Sequence, residues 1–249
     1  MLSRVCTAAL AASVWIGASF AMAGEPVSKA EADKLRAALE VGATGLKVGS
    51  VKTSEIPGLY EVQFINGPLI YSTTKGDFFI VGDIFGVGPT GYVNLAEKRR
   101  DGERVEQLAA LDVDDMIVFS PGGEKRASVT VFTDVSCFYC QKLHKEVPEL
   151  NKRGVEVRYL AYPRAGVGSE AYRQLASAWC ADDKLATMTA LKNRETVPEN
   201  VCEGNPVADQ YLLGQKMGVR GTPAIVTETG QMIPGYQSAD DLMVTLGLN

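Results

Sequence analysis

Two cysteines three positions apart stand where a predicted strand passes into a predicted helix. The segment "VFTDVSCFYCQKLHKEV", residues 131–147, begins with β-branched and aromatic residues and continues with helix-forming residues. The first N–H groups of a helix have no internal partner, and the helix dipole places partial positive charge there. We therefore expect an accessible Cys137 whose pKa lies below the ordinary value of about 8.5. Cys140, one turn further on, is expected to remain a thiol until it reacts.

Several kinds of site use such a cysteine pair, and the neighbouring residues distinguish them. Covalent haem attachment needs a histidine directly after the second cysteine, but residue 141 is glutamine. A structural zinc site takes four ligands, whereas Cys137, Cys140 and the single histidine, His144, supply three. A structural disulfide across so short a loop would contribute little stability. The pattern favours thiol-disulfide exchange without a metal or cofactor, and we interpret His144 as a surface residue rather than a proton relay.

The first 23 residues have the composition of a secretory signal peptide. Arg4 is followed by a run of small and apolar residues, and Ala21-Met22-Ala23 fits a cleavage site that would leave Gly24 as the first residue. A retained membrane anchor is the alternative. No later segment has about 18 uninterrupted apolar residues, the length that suggests a membrane-spanning helix. We therefore predict that residues 1–23 are removed and that the mature protein is exported and soluble.

Signal removal would also change the number of cysteines. Cys6 would leave with the signal, and four cysteines would remain, an even number that can pair completely in an exported protein. Because Cys137 and Cys140 are close in sequence, we expect the pairs 137–140 and 180–202. A bridge between Cys180 and Cys202 would stabilise the fold by about 3 kcal/mol if chain entropy dominates. We interpret that second pair as structural.

The rest of the chain divides into three predicted parts. Residues 24–90 combine one helix over 27–40, with a Ser28–Glu31 capping box, and short strands separated by turns. So small a domain often gains stability by pairing with a copy of itself. Residues 91–113 are charged and helix-forming, and we interpret them as an exposed linker that Asp101-Gly102 interrupts. A surface helix of one larger domain is the alternative.

Residues 114–249 alternate strands with helices, which predicts an α/β domain with a parallel crossover at its start. Pro223 precedes the apolar run "AIVT", and since proline cannot donate within a ladder, we place it at the start of that strand. The net charge of -5 and the pI near 5.1 do not favour nucleic acid or an anionic membrane surface as a partner.

In this order, the motifs resemble the DsbC/DsbG family of thioredoxin-fold disulfide exchange proteins. The segments that carry the resemblance are "VTVFTDVSCFYCQKLH", "VRYLAYPR", the Cys180 and Cys202 pair after "LASAW", "GVRGTPAIV" and "GQMIPGY". The resemblance implies an α/β thioredoxin-like catalytic domain and a small α+β, cystatin-like N-terminal dimerisation domain, joined by a helical linker. It also implies that Thr222 and a cis Pro223 lie against the sulfurs and, with Phe138 and Tyr139, bind substrate.

The same resemblance implies a function in the periplasm. A homodimer would rearrange wrong disulfides in exported proteins, with chaperone activity, and the inner-membrane reductase DsbD would keep Cys137 and Cys140 reduced. A monomeric thiol oxidase, or a reductant of sulfenylated cysteines as in DsbG, is the alternative. Two positions depart from the family pattern. Phe138-Tyr139 replaces the Gly-Tyr usual in DsbC, and Val131 stands where thioredoxin carries an acidic residue six positions before the first cysteine.

Overall fold

The computed structural model of the chain describes residues 24–40, 45–65, 67–88 and 91–248. The chain divides into two units, with the division between Asp83 and Ile84. The predicted signal peptide, with Cys6, lies outside the described residues. Among the residues that are described, none of the helices is both long enough and apolar enough to cross a membrane.

The first unit packs one helix on a four-stranded antiparallel sheet. Its elements are α1 (Lys29–Leu39), β1 (Val48–Thr53), β2 (Leu59–Phe64), β3 (Leu69–Thr73) and β4 (Phe79–Val81), and the sheet order is β1-β2-β3-β4. The predicted capping box is confirmed, because the side chains of Ser28 and Glu31 each accept from the backbone N–H of the other residue. Ala32, Leu35 and Leu39 are buried against apolar residues of the sheet and form the core of this unit.

The second unit begins with a hairpin, β5 (Phe85–Gly88) and β6 (Gly91–Asn94), followed by helix α2 (Leu95–Ala109). This helix continues through Asp101 and Gly102, so the predicted interruption is wrong. A glycine inside a helix costs only about 1 kcal/mol, which packing offsets here. Arg104, 4% exposed, donates from Nε to the Met217 carbonyl oxygen at 3.2 Å and from Nη1 to the Gly230 carbonyl oxygen at 3.3 Å. The face of α2 that carries Arg104 is therefore packed against the rest of the second unit.

A five-stranded sheet forms the centre of the second unit, in the order β11-β10-β8-β9-β7. Its strands are β7 (Ile117–Phe119), β8 (Ala127–Thr133), β9 (Val155–Ala161), β10 (Ala224–Thr227) and β11 (Met232–Pro234). The helices are α3 (Phe138–Lys152), α4 (Glu170–Trp179), α5 (Lys184–Lys192), α6 (Val207–Lys216) and α7 (Ala239–Thr245). Strands β8 and β9 are parallel and α3 connects them, which confirms the predicted crossover. The other strand pairs are antiparallel.

Both faces of this sheet are buried. Val131 of β8 and Tyr159 of β9 belong to the larger core, on the side of α3, whereas Phe132 and Leu160 belong to a second core with Met217. Every residue of β8 is buried, as expected for a central strand covered on both faces. Because β8 is held on both faces, its carboxyl end fixes the position at which the chain enters α3.

Gly214 marks the closest approach of α6 to the sheet. A Cβ atom at this position would lie 2.6 Å from Cδ2 of Tyr162 and 3.1 Å from Cδ1 of Phe132. We predict that Gly214→Ala lowers the free energy of unfolding of the second unit by about 1–3 kcal/mol through overpacking. Urea denaturation followed by circular dichroism measures this change.

Gly102→Ala in α2 is the matched control for this substitution. A Cβ at Gly102 meets no atom within 4 Å, so this variant should be as stable as the wild type or up to about 1 kcal/mol more stable. Equal unfolding midpoints for Gly214→Ala and the wild type would contradict the packing described for α6.

Candidate active site

The two free thiols, Cys137 and Cys140, lie at the amino end of α3. Cys137 is the N-cap residue, with φ -83° and ψ 119°, and Cys140 occupies the first turn. The Cys137 thiol donates to the carbonyl oxygen of Thr222 at 3.2 Å, and the Thr222–Pro223 peptide bond is cis. The structure thus brings together four of the residues singled out in the sequence, from two segments 85 positions apart.

Cys137 is less accessible than expected. It is 3% exposed and Cys140 is 1% exposed, and the Thr222 carbonyl oxygen lies against the Cys137 sulfur. Phe138 and Tyr139, by contrast, are 61% and 56% exposed. Their rings meet edge to face with centroids 5.5 Å apart, and they form an apolar patch directly beside the buried sulfur.

A buried carboxylate holds the turn that leads into α3. Asp134 Oδ1 accepts from the backbone N–H and the hydroxyl of Ser136, both at 2.7 Å. Asp134 Oδ2 accepts from the backbone N–H of Arg164 at 2.9 Å and from its Nε at 3.1 Å. Burial alone would raise the pKa of Asp134, but the hydrogen bonds from Arg164 and Ser136 lower it overall. Asp134 is therefore an ionised anchor of the turn.

The environment separates the two thiols in acidity. A hydrogen bond from the Cys140 thiol is the main cause that lowers the pKa of Cys137 to about 5, and the positive charge of Arg164 lowers it further. The pKa of Cys140 is raised, first by burial and then by its hydrogen bond to Cys137. Both predicted directions are confirmed. The helix terminus that we invoked matters less than the neighbouring thiol, because that thiol can donate directly to the anion.

His144 is buried, so its interpretation as a surface histidine is wrong. It is 7% exposed, with Nδ1 3.0 Å from the Tyr159 hydroxyl and Nε2 3.2 Å from the Thr189 hydroxyl. Burial, followed by the charge of Lys192, lowers the pKa of His144 to about 4. His144 is therefore neutral at neutral pH and supplies no positive charge to Cys137. Its position four residues after Cys140 was the signal for a place on the buried face of α3.

The second cysteine pair is oxidised. A disulfide joins Cys180 at the end of α4 to Cys202 in the loop before α6, across 22 positions, as expected. The other expected pair is reduced, with Cys137 and Cys140 both present as free thiols. The structure therefore holds one oxidised and one reduced pair in the same unit.

Sequence reasoning missed one residue behind the cysteines. Lys192, the last residue of α5, is 2% exposed and its ammonium group lies at the carboxyl end of β8. A lysine at the end of a helix is usually exposed to solvent. The signal available in the sequence was its position four residues after the apolar Met188, which places both residues on one face of α5. The structure shows that this face is buried.

Comparisons with known proteins assign both parts of the chain. Residues 26–97 match the disulfide bond isomerase protein N-terminal domain, and residues 113–247 match the thioredoxin-like domain. The thiol:disulfide interchange protein DsbC of Escherichia coli (strain K12) is 35% identical over 213 residues, which cover 86% of this chain and 87% of that protein. DsbC of Dickeya dadantii is 38% identical over 202 residues, which cover 81% and 82%.

The chain belongs to the DsbC family of thiol:disulfide interchange proteins. It is a thiol-disulfide oxidoreductase, and the expected fold class is confirmed. A crystal structure of a disulfide interchange protein from Neisseria gonorrhoeae matches with a TM-score of 0.50 and 28% identity, covering 56% of this chain and 98% of that chain. The catalytic domain of Proteus mirabilis ScsC, at 18% identity and a TM-score of 0.50, shares the fold.

The low pKa of Cys137 predicts fast alkylation at neutral pH, since the thiolate is the nucleophile. The alkylation rate of the reduced protein with iodoacetamide should rise with pH through a midpoint near pH 5 and then level off. In Cys140→Ala the main hydrogen bond is lost, so the midpoint should move up toward the ordinary value of about 8.5. A wild-type midpoint at that ordinary value would contradict the site described here.

Proposed function

We propose that the protein is a periplasmic, homodimeric protein disulfide isomerase and reductase that corrects wrong disulfides in exported proteins. The opposite pKa shifts of Cys137 and Cys140 beside Thr222 and Pro223 carry this proposal. The names of the DsbC relatives and the match to a disulfide bond isomerase domain support it. The composition of residues 1–23 supports export, with cleavage after Ala23.

The reaction begins with the Cys137 thiolate. It attacks one sulfur of a substrate disulfide, so that a bond forms to Cys137 Sγ and the other substrate sulfur leaves as a thiolate with the bonding electron pair. In isomerisation, another substrate thiolate attacks the mixed disulfide, forms a new substrate disulfide and releases the Cys137 thiolate. No net oxidation or reduction occurs, so this branch needs only Cys137.

Reduction uses both cysteines. Cys140 loses its proton and attacks Cys137 Sγ, the bond to the substrate breaks, and the substrate leaves as a thiolate. The substrate has then gained two electrons, and the two cysteines form a disulfide. An external thiol reductant must return the pair to its dithiol form, and we assign this role to DsbD.

Two surface features beside Cys137 suit an unfolded protein substrate. The Thr222 backbone lies next to the sulfur and can pair with an extended chain as an added strand does. The exposed rings of Phe138 and Tyr139 offer apolar contact to side chains that a misfolded protein exposes. The same apolar contact supports a chaperone activity in addition to disulfide exchange.

The first unit carries the surface that we assign to the dimer interface. Strand β4 lies at the edge of its sheet, and Phe79, Ile80 and Val81 are 58%, 60% and 63% exposed. Among the described residues, β4 pairs on one side only, with β3. An exposed apolar edge strand is a template for pairing with another chain. A second copy of β4 would pair with the backbone groups of the open edge and would cover the apolar side chains.

Cysteine variants test the reaction. With a scrambled multi-disulfide substrate, the wild type should restore substrate activity, whereas Cys137→Ala should give no rescue above the buffer rate because no mixed disulfide can form. Cys140→Ala should retain isomerisation but lose net reduction of insulin, because only the reduction branch needs a resolving thiol. Equal rescue by Cys137→Ala and the wild type would refute the proposed function.

A charge on β4 tests the dimer. We expect Ile80→Lys to halve the mass in solution, measured by light scattering, because a lysine on the edge strand disfavours pairing. Val244→Lys, at a residue of α7 that is 64% exposed, is the matched control and should leave the dimer intact. The dimer assignment fails if the wild type has the mass of one chain, or if Ile80→Lys keeps the wild-type mass.

A further inference from the structure

Lys192 is a buried cation that donates to two oxygens at the carboxyl end of β8. Its Nζ donates to the Thr133 hydroxyl at 2.6 Å and to the Asp134 carbonyl oxygen at 3.1 Å, and it lies 5.5 Å from the ring centroid of Tyr159. Within the described part of the chain, no carboxylate oxygen lies in ion-pair distance of this nitrogen. A buried ammonium group is costly unless an anion or several hydrogen bonds compensate it. A buried amine bound to the turn that carries Cys137 is a candidate for a part in the reaction.

The anion that can compensate Lys192 is the Cys140 thiolate. Lys192 and the start of α3 meet at Asp134, whose carbonyl oxygen accepts from Lys192 Nζ at 3.1 Å and from the backbone N–H of Cys137 at 3.3 Å, three residues before Cys140. Burial lowers the pKa of Lys192 to about 8, and the Cys140 charge raises it. In turn, the Lys192 charge lowers the pKa of Cys140 against the large effect of burial. Each charge therefore stabilises the other.

The other polar groups around Lys192 are less suited to exchange a proton with Cys140. The carboxylate of Asp134 is taken by Ser136 and Arg164, and its pKa is lowered. The pKa of His144 is about 4, lowered first by burial, and burial raises the pKa of Tyr159 well above its usual range. When Cys140 resolves the mixed disulfide, Cys137 is bonded to the substrate sulfur and carries no charge.

Position 131, six residues before Cys137, offers no acid either. Val131 of β8 is buried in the apolar core. Lys192 on α5 is thus the titratable group near Cys140 whose pKa is closest to neutral pH.

We propose that Lys192 is the positioning residue for the resolving step, the group that takes up the proton of Cys140 and holds the resulting thiolate. This inference rests on the proposed function and names a residue that the exchange reaction needs. The negative charge of Cys137 raises the pKa of Lys192 in the reduced protein, and this charge is lost when Cys137 forms the mixed disulfide. The pKa of Lys192 then falls, and its neutral amine takes up the Cys140 S–H proton and becomes an ammonium group. The Cys140 thiolate attacks Cys137 Sγ, the bond to the substrate breaks, and the substrate sulfur leaves with the electron pair. Lys192 then loses its proton to solvent.

An aromatic disulfide, dithiobis-nitrobenzoate, separates the two chemical steps in one stopped-flow trace. The first coloured thiolate appears when Cys137 attacks, and the second appears when Cys140 resolves the mixed disulfide. In Lys192→Met, which keeps the length of the side chain and removes the amine, we expect the second phase to be about tenfold slower at neutral pH. Its pH midpoint should rise by about one unit, which corresponds to the same tenfold loss of thiolate. The first phase should remain unchanged.

Lys152→Met is the matched control, because Lys152 also belongs to a catalytic-unit helix but its side chain is 79% exposed. Both phases should be unchanged in this variant. A second phase in Lys192→Met with the wild-type rate and pH profile overturns the inference and leaves the proposed function intact. A wild type that releases no coloured thiolate overturns both.

A measurement on the wild type covers the case in which Lys192→Met does not fold. With lysines labelled at the ε-carbon, nuclear magnetic resonance should show one lysine that titrates near pH 8 in the reduced protein. Its pKa should be lower once Cys137 and Cys140 form a disulfide, because neither sulfur can then carry a negative charge. Identical lysine titrations in the reduced and oxidised protein would overturn the inference.

Discussion

Four hydrogen bonds converge on the buried carboxylate of Asp134, two from Ser136 and two from Arg164. They hold the turn between β8 and α3, where a buried strand of fixed position meets the helix that carries the thiols. The main chain of the same residue faces inward, and its carbonyl oxygen accepts from the backbone N–H of Cys137 at 3.3 Å and from Lys192. One residue thus sets the positions of Cys137 and of the buried amine of Lys192.

This arrangement makes two chemically identical thiols behave differently. Cys137 lies at the N-cap of α3, where the Cys140 thiol and the charge of Arg164 favour its anion. Cys140 lies deeper, where burial opposes ionisation. One unit of pKa corresponds to about 1.4 kcal/mol, so modest differences in solvation are enough to decide which of the two thiols ionises first. In the reaction that we propose, the same difference keeps Cys140 protonated until the mixed disulfide has removed the charge of Cys137.

Local patterns in the sequence were sufficient for the elements and for the reactive pair. The capping box of α1, the parallel crossover and the strand–helix junction at Cys137 depend on neighbouring residues, and the structure has them where they were expected. The errors concern contacts between distant segments. Gly102 did not break α2, because Arg104 in the same helix binds carbonyl oxygens more than 110 residues away.

His144 and Lys192 illustrate the same limit within the site. Both are polar residues whose place depends on what covers the helix that carries them. His144 is buried because Tyr159 of β9 and Thr189 of α5 satisfy its ring nitrogens. Lys192 is buried because the end of β8 provides two acceptors for its ammonium group. Helical spacing could indicate the buried face. It could not indicate that hydrogen-bond partners from other elements would compensate the burial of a polar group.

The disulfide between Cys180 and Cys202 has a consequence for the maturation of the protein itself. The second unit contains four cysteines, and only one of their three complete pairings includes the Cys180–Cys202 bond. The structure has that bond and leaves Cys137 and Cys140 as free thiols. Maturation must oxidise one pair and spare the other within a single unit. Wrong pairing among these four cysteines is therefore a hazard in the maturation of each new chain.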